Sequence, residues 1–299
     1  MKYESYLRSC SLCPRECGVD RIAGEMGKCR MGAEACVSRA SLHMWEEPPI
    51  SGKNGSGTVF FSGCGLRCVY CQNHEIALNR VGRDITPSAL ADEMLRLEEQ
   101  GAHNINLVTG THFVKQLIPV LETARKRGLS VPLLWNTSGY ENVSTLQMLG
   151  GLIDIYLPDF KYLRSETAKQ YSHAPDYPET AKSALAEMVR QEPAQQFDAD
   201  GMMQKGVQVR HMVLPGHAQE AREILWYLHS TYGDRIGISI MQQYTPMPQC
   251  KDDPLLSRRV TVHEYETVVR YAEQIGITGA FTQEREAASE SFIPPFSGA

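Results

Sequence analysis

Eight of the nine cysteines of this 299-residue chain fall within its first 71 positions: Cys10, Cys13, Cys17, Cys29, Cys36, Cys64, Cys68 and Cys71, with Cys250 alone beyond them. Buried thiols used only for packing would scatter, so this crowding demands a chemical reason. The start, "MKYESYLRSC", has no apolar h-region, so no secretory signal is expected and the protein is expected to be cytoplasmic. In that compartment clustered cysteines read as metal ligands rather than as a disulfide framework.

The cysteines form two groups. "CSLCPREC…GKC" places Cys10, Cys13, Cys17 and Cys29 at C-x2-C-x3-C-x11-C spacing, with Cys36 as an alternative fourth ligand. Four thiolates suit tetrahedral zinc and an auxiliary iron–sulfur cluster alike. A small segment without an apolar core needs such a staple to fold. The second group, "GCGLRCVYC", holds only three thiols, Cys64, Cys68 and Cys71, at C-x3-C-x2-C.

Residues 1–50 show no sustained helical period and close on "EEPPISGKNGSG", which reads as a linker into a core domain over 51–299. From Thr58 the pattern alternates strands with helices. The expected strands are "TVFF", "INLVT", "VPLLWN", "LIDIYL", "VQVRHMVL" and "IGISIM". Thr86 followed by Pro87 marks a helix start, and Gly128 a helix stop. Helical stretches are expected over 165–190, 218–231 and 263–275. Six strand–helix units imply an α/β fold with a parallel sheet, two units short of a closed barrel. Residues 191–206 read as a polar surface insertion, and the tail "SFIPPFSGA" as a non-helical segment packed back over the core. Net charge −5 argues against a nucleic-acid partner, and no apolar run reaches the roughly 18 residues of a membrane span.

The three-cysteine motif follows the first expected strand, at the sheet edge where parallel α/β folds build active sites. With His74 it could close a zinc knot, and with an N-terminal cysteine an ordinary four-thiolate cluster. A third reading takes the count at face value: a [4Fe-4S] cluster held by three thiolates leaves one iron open, as catalytic metal sites do.

"CGLRCVYCQN", with Tyr70 directly before the third cysteine, resembles the signature of the radical SAM superfamily, especially the subgroup around the pyruvate formate-lyase activating enzyme and its uncharacterised relatives. The resemblance implies a partial (β/α)6 radical SAM barrel carrying a small Cys-rich N-terminal metal-binding segment. It also implies that Cys64, Cys68 and Cys71 ligate a [4Fe-4S] cluster whose fourth iron binds S-adenosylmethionine. Reductive cleavage would give methionine and a 5′-deoxyadenosyl radical that abstracts hydrogen from a substrate. Partners implied are a low-potential electron donor, flavodoxin or ferredoxin, and a protein substrate of the glycyl-radical type. A small-molecule or peptide substrate is the alternative, and a zinc-stabilised scaffold without chemistry is the rival from another class.

Cofactor contacts are expected at strand ends. Where relatives carry Gly-Gly-Glu, this chain has "VTGTH", offering Thr109, Gly110 and Thr111 without an acid. "WNTSGY" supplies Asn136, Thr137 and Ser138, similar to the family's Asp/Asn-Thr-Asn-Gly turn. "LPDFKY" supplies Asp159 and Lys161, which share a face because Phe160 lies between them. Lys161 suits the methionyl carboxylate, and Asp159 the ribose hydroxyls or a cation. Arg210 matches a charged position on the fifth strand, and Gln243, beside Gln242 and Tyr244, follows the sixth. His112, His211 and His217 are lesser candidates.

Overall fold

The computed structural model describes residues 4–282, so the tail from Ser291 lies outside the described residues. The strands in chain order are β1 (Cys36–His43), β2 (Ser56–Phe61), β3 (Arg83–Asp84), β4 (Ile105–Val108), β5 (Leu133–Thr137), β6 (Ile155–Pro158), β7 (Gln196–Phe197), β8 (Met203–Met212), β9 (Ile236–Met241) and β10 (Phe281–Thr282). Their order across the sheet is β10-β9-β8-β6-β5-β4-β2-β1-β3, with β7 paired to β8. The six strands expected from the sequence are β2, β4, β5, β6, β8 and β9, and they are parallel neighbours in that order.

Amphipathic helices cover one face of this sheet. Pro87–Glu99 starts as its sequence dictates, the Thr86 side chain accepting from the Ala89 N–H, and it buries Leu90, Ala91, Met94 and Leu97. The opposite face curls around a cavity. Phe60, Val108, Asn136, Asp159, Arg210, Ser239 and Thr282, drawn from β2, β4, β5, β8 and their neighbours, all line it. Among the described residues no helix is long and apolar enough to cross a membrane.

Three differences from the sequence reading bear on the site. First, β1 lies before residue 50 yet pairs antiparallel with β2, so the N-terminal segment shares the main sheet. Second, "EEPPIS" is not an exposed linker. Pro48–Ser51 is a short helix with Pro49, Ile50 and Ser51 buried, and Ile50 clusters with Leu134, Ile155, Leu157 and Met203. Apolar contact with the barrel interior explains this corner, which local composition could not. Third, the helical stretch 165–190 breaks into Ser165–Ser172 and Tyr177–Gln191. His173 caps the first with a left-handed φ of 50°, and Ala174 precedes Pro175, a position that disfavours helix. The polar insertion forms the β7–β8 hairpin, and β8 begins at Met203, earlier than expected.

The last long helix, Val262–Gln274, is anchored by a capping box between Thr261 and Glu264. Glu264 also accepts from the Gly216 N–H at 2.7 Å and pairs with Arg258. The Arg258 bonds hold its carboxyl well below the usual range, with Thr261 and Gly216 adding. Glu264→Ala is expected to cost about 1–2 kcal/mol in urea unfolding at neutral pH. Because the folded carboxyl titrates low, its contribution is present above the ordinary carboxylate range and fades on acidification. The gap between variant and wild type should therefore narrow at low pH.

Candidate active site

The three-cysteine loop leaves the end of β2 through two close approaches. At Gly63, φ is 83°, and a side chain would stand 2.7 Å from the Cys29 carbonyl oxygen. At Gly65 it would stand 3.2 Å from Cys13 Sγ. The N-terminal cysteine segment is therefore packed directly against the loop, and only small residues admit it. Arg15 fastens the two together. Its guanidinium donates to the carbonyls of Gly65 (2.9 Å), Leu66 (3.3 Å), Ser172 (2.9 Å) and His173 (2.7 Å). Arg15→Ala is expected to lose about 1–3 kcal/mol and to speed hydrogen exchange at the loop amides. Arg15→Lys should rescue only part, since an ammonium lacks the planar fork.

Cys64, Cys68 and Cys71 all line one cavity of about 540 Å³, a size within the ~300–1,000 Å³ typical of cofactor and substrate sites. Burial raises the thiol pKa of each, Cys71 to about 12, and the neighbouring thiols add to the rise at Cys68 and Cys71. Cys68 Sγ accepts a hydrogen bond from Ser172 Oγ at 3.0 Å. Ser172 in turn meets Tyr162, whose hydroxyl donates to Tyr70 at 2.7 Å. Tyr70 is buried with its ring edge-on to Tyr162, Tyr171 and Tyr244, so the loop rests on an aromatic bed.

Most of the strand-end candidates join the cysteines in this cavity: Tyr70, Thr109, Asn136, Thr137, Ser138, Asp159, Lys161, Arg210 and Gln243. Lys161 Nζ donates to Asp159 at 2.5 Å. Burial would lower the lysine's pKa, but Asp159 and Cys68 outweigh it and keep the ammonium charged. Thr109 sits at φ 60°, a left-handed conformation that non-glycine residues adopt at a cost and that concentrates at functional sites.

Gly110 and Thr111 do not line the cavity. Gly110 packs on the Trp135 ring. Thr111 turns to Glu141, whose Oε1 also accepts from Thr137 at 2.5 Å and Trp135 at 3.1 Å. Burial raises the Glu141 pKa, the three bonds opposing, so this carboxyl ties the ends of β4 and β5 together from behind the cavity. Sequence reasoning missed Glu141, although it follows "WNTSGY" directly.

Arg210 was expected to meet the cofactor but is engaged in a buried ion cluster. It donates to Glu47 through Nε at 2.8 Å and Nη2 at 2.7 Å, and Nη2 also reaches Glu46. Glu46 accepts from Asn106 as well. Burial would raise the Glu47 pKa, but Arg210 outweighs it and holds the carboxylate low.

His112, His211 and His217 do not line the cavity. His112 bonds the Ser62 carbonyl, and burial with Arg21 nearby lowers its pKa to about 3. His211 bonds the Phe160 carbonyl, and His217 meets Tyr171. Of the other lesser candidates, Tyr244 donates to the Leu256 carbonyl at 2.5 Å.

At the N-terminal group, burial raises Cys13 to about 12, with Cys29, Cys10 and Cys17 adding to the rise, so the four thiols are neighbours. Cys36 is instead a buried residue of β1, with Arg80 beside it. Among the described residues, no three His, Cys, Asp or Glu side chains converge on a single ion. A cubane cluster asks for less convergence, since each thiolate binds a different iron.

The chain is similar to several known proteins. Over 281 residues the chain is 27% identical to an uncharacterized protein, MJ0674, of Methanocaldococcus jannaschii, covering 92% of this chain and 77% of that one. It is 26% identical over 125 residues to the pyruvate formate-lyase-activating enzyme of Clostridium pasteurianum, covering 40% of this chain and 51% of that enzyme. The crystal structure of Streptococcus suis SuiB bound to S-adenosylmethionine shares the fold at a TM-score of 0.50 and 13% identity, over 74% of this chain. The chain spans only 47% of SuiB and about half of the activating enzyme. The family model of the radical SAM superfamily matches residues 58–192, the stretch that carries the three cysteines, Asn136, Asp159 and Lys161. Over residues 58–192 this chain is therefore similar to the radical SAM superfamily.

Proposed function

We propose that the cavity is the active site of a radical SAM enzyme, with Cys64, Cys68 and Cys71 as ligands of its [4Fe-4S] cluster. The observation that carries this reading is the shared cavity. Three thiols and the polar ends of β4, β5 and β6 line it together, and among the described residues no fourth cysteine does. Three thiolates leave one iron for S-adenosylmethionine. When bound, the cluster supplies the electron that splits S-adenosylmethionine into methionine and a 5′-deoxyadenosyl radical.

The chain's own residues bind, orient and shield. Lys161, kept charged by Asp159, is the partner for the methionyl carboxylate. Asn136, Ser138 and the backbone at Thr109 are candidates for the methionyl ammonium and the ribose. Thr137 has its hydroxyl committed to Glu141 and positions the turn. Tyr70 and its aromatic neighbours close the cavity beneath the cysteine loop and keep water from it. Gln243 bounds the rim, its carbonyl accepting from Gln72 at 2.7 Å. Cys10, Cys13, Cys17 and Cys29 would hold a second metal group, for which an iron–sulfur cluster suits their spread better than a single zinc ion, and a low-potential flavodoxin or ferredoxin would deliver the electron.

The test is anaerobic reconstitution with iron and sulfide, reduction, and addition of S-adenosylmethionine. Methionine and 5′-deoxyadenosine in equal amounts are expected, and their absence would overturn the reading. Metal analysis of the same sample separates zinc from iron at the N-terminal site. A second reading, in which the hydrogen comes from a glycine of a partner protein, draws on the match to the activating enzyme. It predicts a glycyl-radical signal in electron paramagnetic resonance when a glycyl-radical enzyme is supplied.

A further inference from the structure

We infer that Ser172, backed by Tyr162 and Tyr70, raises the reduction potential of the [4Fe-4S] cluster through a hydrogen bond to the Cys68 thiolate. The inference rests on the reading of Cys64, Cys68 and Cys71 as the cluster's ligands. Ser172 Oγ stands 3.0 Å from Cys68 Sγ and donates to it. The Tyr162 hydroxyl lies 2.7 Å from Ser172 Oγ, and the Tyr70 hydroxyl 2.7 Å from that of Tyr162. Ser172 and Tyr162 are fully buried and Tyr70 nearly so, which keeps water from competing for these bonds and strengthens them electrostatically. The other two thiols meet backbone N–H groups, those of Leu66 and Arg67 at Cys64 and that of Asn73 at Cys71. Cys68 stands instead at the end of a chain of three side-chain hydroxyls. Neither Ser172 nor Tyr162 lines the cavity, so their influence on the reaction has to pass through the sulfur.

The segment that carries Ser172 is fixed against the cysteine loop from two sides. The Val69 N–H donates to the Tyr171 carbonyl at 2.8 Å, and Arg15 donates to the carbonyls of Ser172 and His173. His173 ends the helix there in a left-handed conformation, φ 50°, which a non-glycine residue adopts at a cost. A thiolate that ligates a metal only accepts hydrogen bonds. Each hydroxyl has a single proton. Ser172 therefore gives its own to the sulfur, Tyr162 gives its own to Ser172, and Tyr70 gives its own to Tyr162. This order turns round the Tyr162–Tyr70 bond of the free thiol and aligns three O–H dipoles toward Cys68. A hydrogen bond to a charged acceptor is about twice as strong as one to a neutral acceptor. Reduction by the flavodoxin or ferredoxin adds one electron, and no covalent bond in the hydroxyl chain forms or breaks. The negative charge on the thiolate grows, so the chain holds the reduced state more firmly than the oxidised one. Hydrogen bonds to the sulfurs are among the levers that set such potentials. Ser172 and Tyr162 are positioning residues in this scheme, acting through Cys68.

The experiment is a redox titration of the anaerobically reconstituted protein, followed by electron paramagnetic resonance. Signal that persists in Cys68→Ala belongs to another centre and is subtracted. At equal iron and sulfide content, Ser172→Ala is expected to lower the one-electron reduction equilibrium constant about tenfold, a fall of about 59 mV. Tyr162→Phe should lower it by less, because the Ser172 bond remains, and Tyr70→Phe by least. Ser172→Thr keeps the hydroxyl and should return most of the loss. A Ser172 that serves packing alone would change urea unfolding and leave the potential where it was, and that result overturns the proposal. A fall that Ser172→Thr shares in full traces to packing and overturns it as well. Should Ser172→Ala fail to hold the cluster, Tyr162→Phe decides alone, a lowered potential supporting the proposal and an unchanged one overturning it. 5′-Deoxyadenosine is assayed on the wild-type samples after S-adenosylmethionine is added. Its formation, with an unchanged potential in Ser172→Ala, overturns the tuning and leaves the radical reading intact. A lowered potential in Ser172→Ala, with no 5′-deoxyadenosine from wild type, does the reverse. A spectrum with no signal that depends on Cys68 overturns both.

Discussion

Cys68→Ala is expected to abolish 5′-deoxyadenosine formation while the protein stays folded. The side chain is buried and small, so its loss should cost about 1 kcal/mol in stability, within the ordinary range for a point mutant. Its chemical loss is of another order. With two thiolates left, the site would lack the third of the ligands proposed for the cluster, and S-adenosylmethionine should survive reduction intact. Cys64→Ala and Cys71→Ala should behave alike, because all three thiols line the same cavity. Cys10→Ala gives the contrast. It removes an N-terminal thiol that lies outside the cavity, so any loss of turnover there should follow loss of the second metal proposed for that segment. The measurement is product yield with iron and zinc content for each variant. Full turnover by Cys68→Ala would sink the assignment of the motif.

The largest effect on stability should come from Arg210→Met. Arg210 answers Glu46 and Glu47 inside the barrel, and both side chains on the carboxylate side are only 7% exposed. Removing the cation leaves two buried carboxylates facing each other, and breaking a buried pair in this way costs about 3–5 kcal/mol. Urea unfolding at neutral pH should show that loss. The pH dependence should also change sign. In wild type, burial works to raise the Glu47 pKa but Arg210 outweighs it, so Glu47 stabilises the fold above the ordinary carboxylate range and less as pH falls. In Arg210→Met, burial of Glu47 is opposed only by its Ser239 and backbone hydrogen bonds, so its pKa should rise and acidification should recover stability. Adding Glu47→Gln to Arg210→Met should return part of the loss at neutral pH. A variant as stable as wild type at pH 7 would show that water, not Arg210, screens the two acids.

The parts of the molecule legible in the sequence were those fixed by local chemistry. Thr86 and Pro87 start a helix wherever they sit before an apolar stripe, and β-branched runs such as "TVFF" pair because they fit a half-buried sheet. The three-cysteine motif was readable because its spacing is itself the signal. What escaped was decided by distant partners. Glu46 and Glu47 sit in a Glu-Glu-Pro-Pro stretch that locally reads as a solvated turn, and only Arg210, 163 positions beyond Glu47, draws them inward. Thr111 looked as good a ligand as Thr109 until Glu141 claimed its hydroxyl. The break at His173 had a local signal, the Ala-Pro step after it, which the broad helical reading passed over. Cys36 has a spacing that would fit the N-terminal set, but its alternation with Ser38 and Ala40 belongs to a strand.

Arg15 has a consequence for how the molecule is assembled. The carbonyls it joins come from two places far apart in sequence, the cysteine loop at 65–66 and the helix break at 172–173. Synthesis delivers Arg15 more than 150 residues before the second pair exists. The loop therefore has to wait for the later half of the sheet before its Arg15 fastening is complete, and insertion of the proposed cluster would belong after the chain has closed on itself rather than during its emergence.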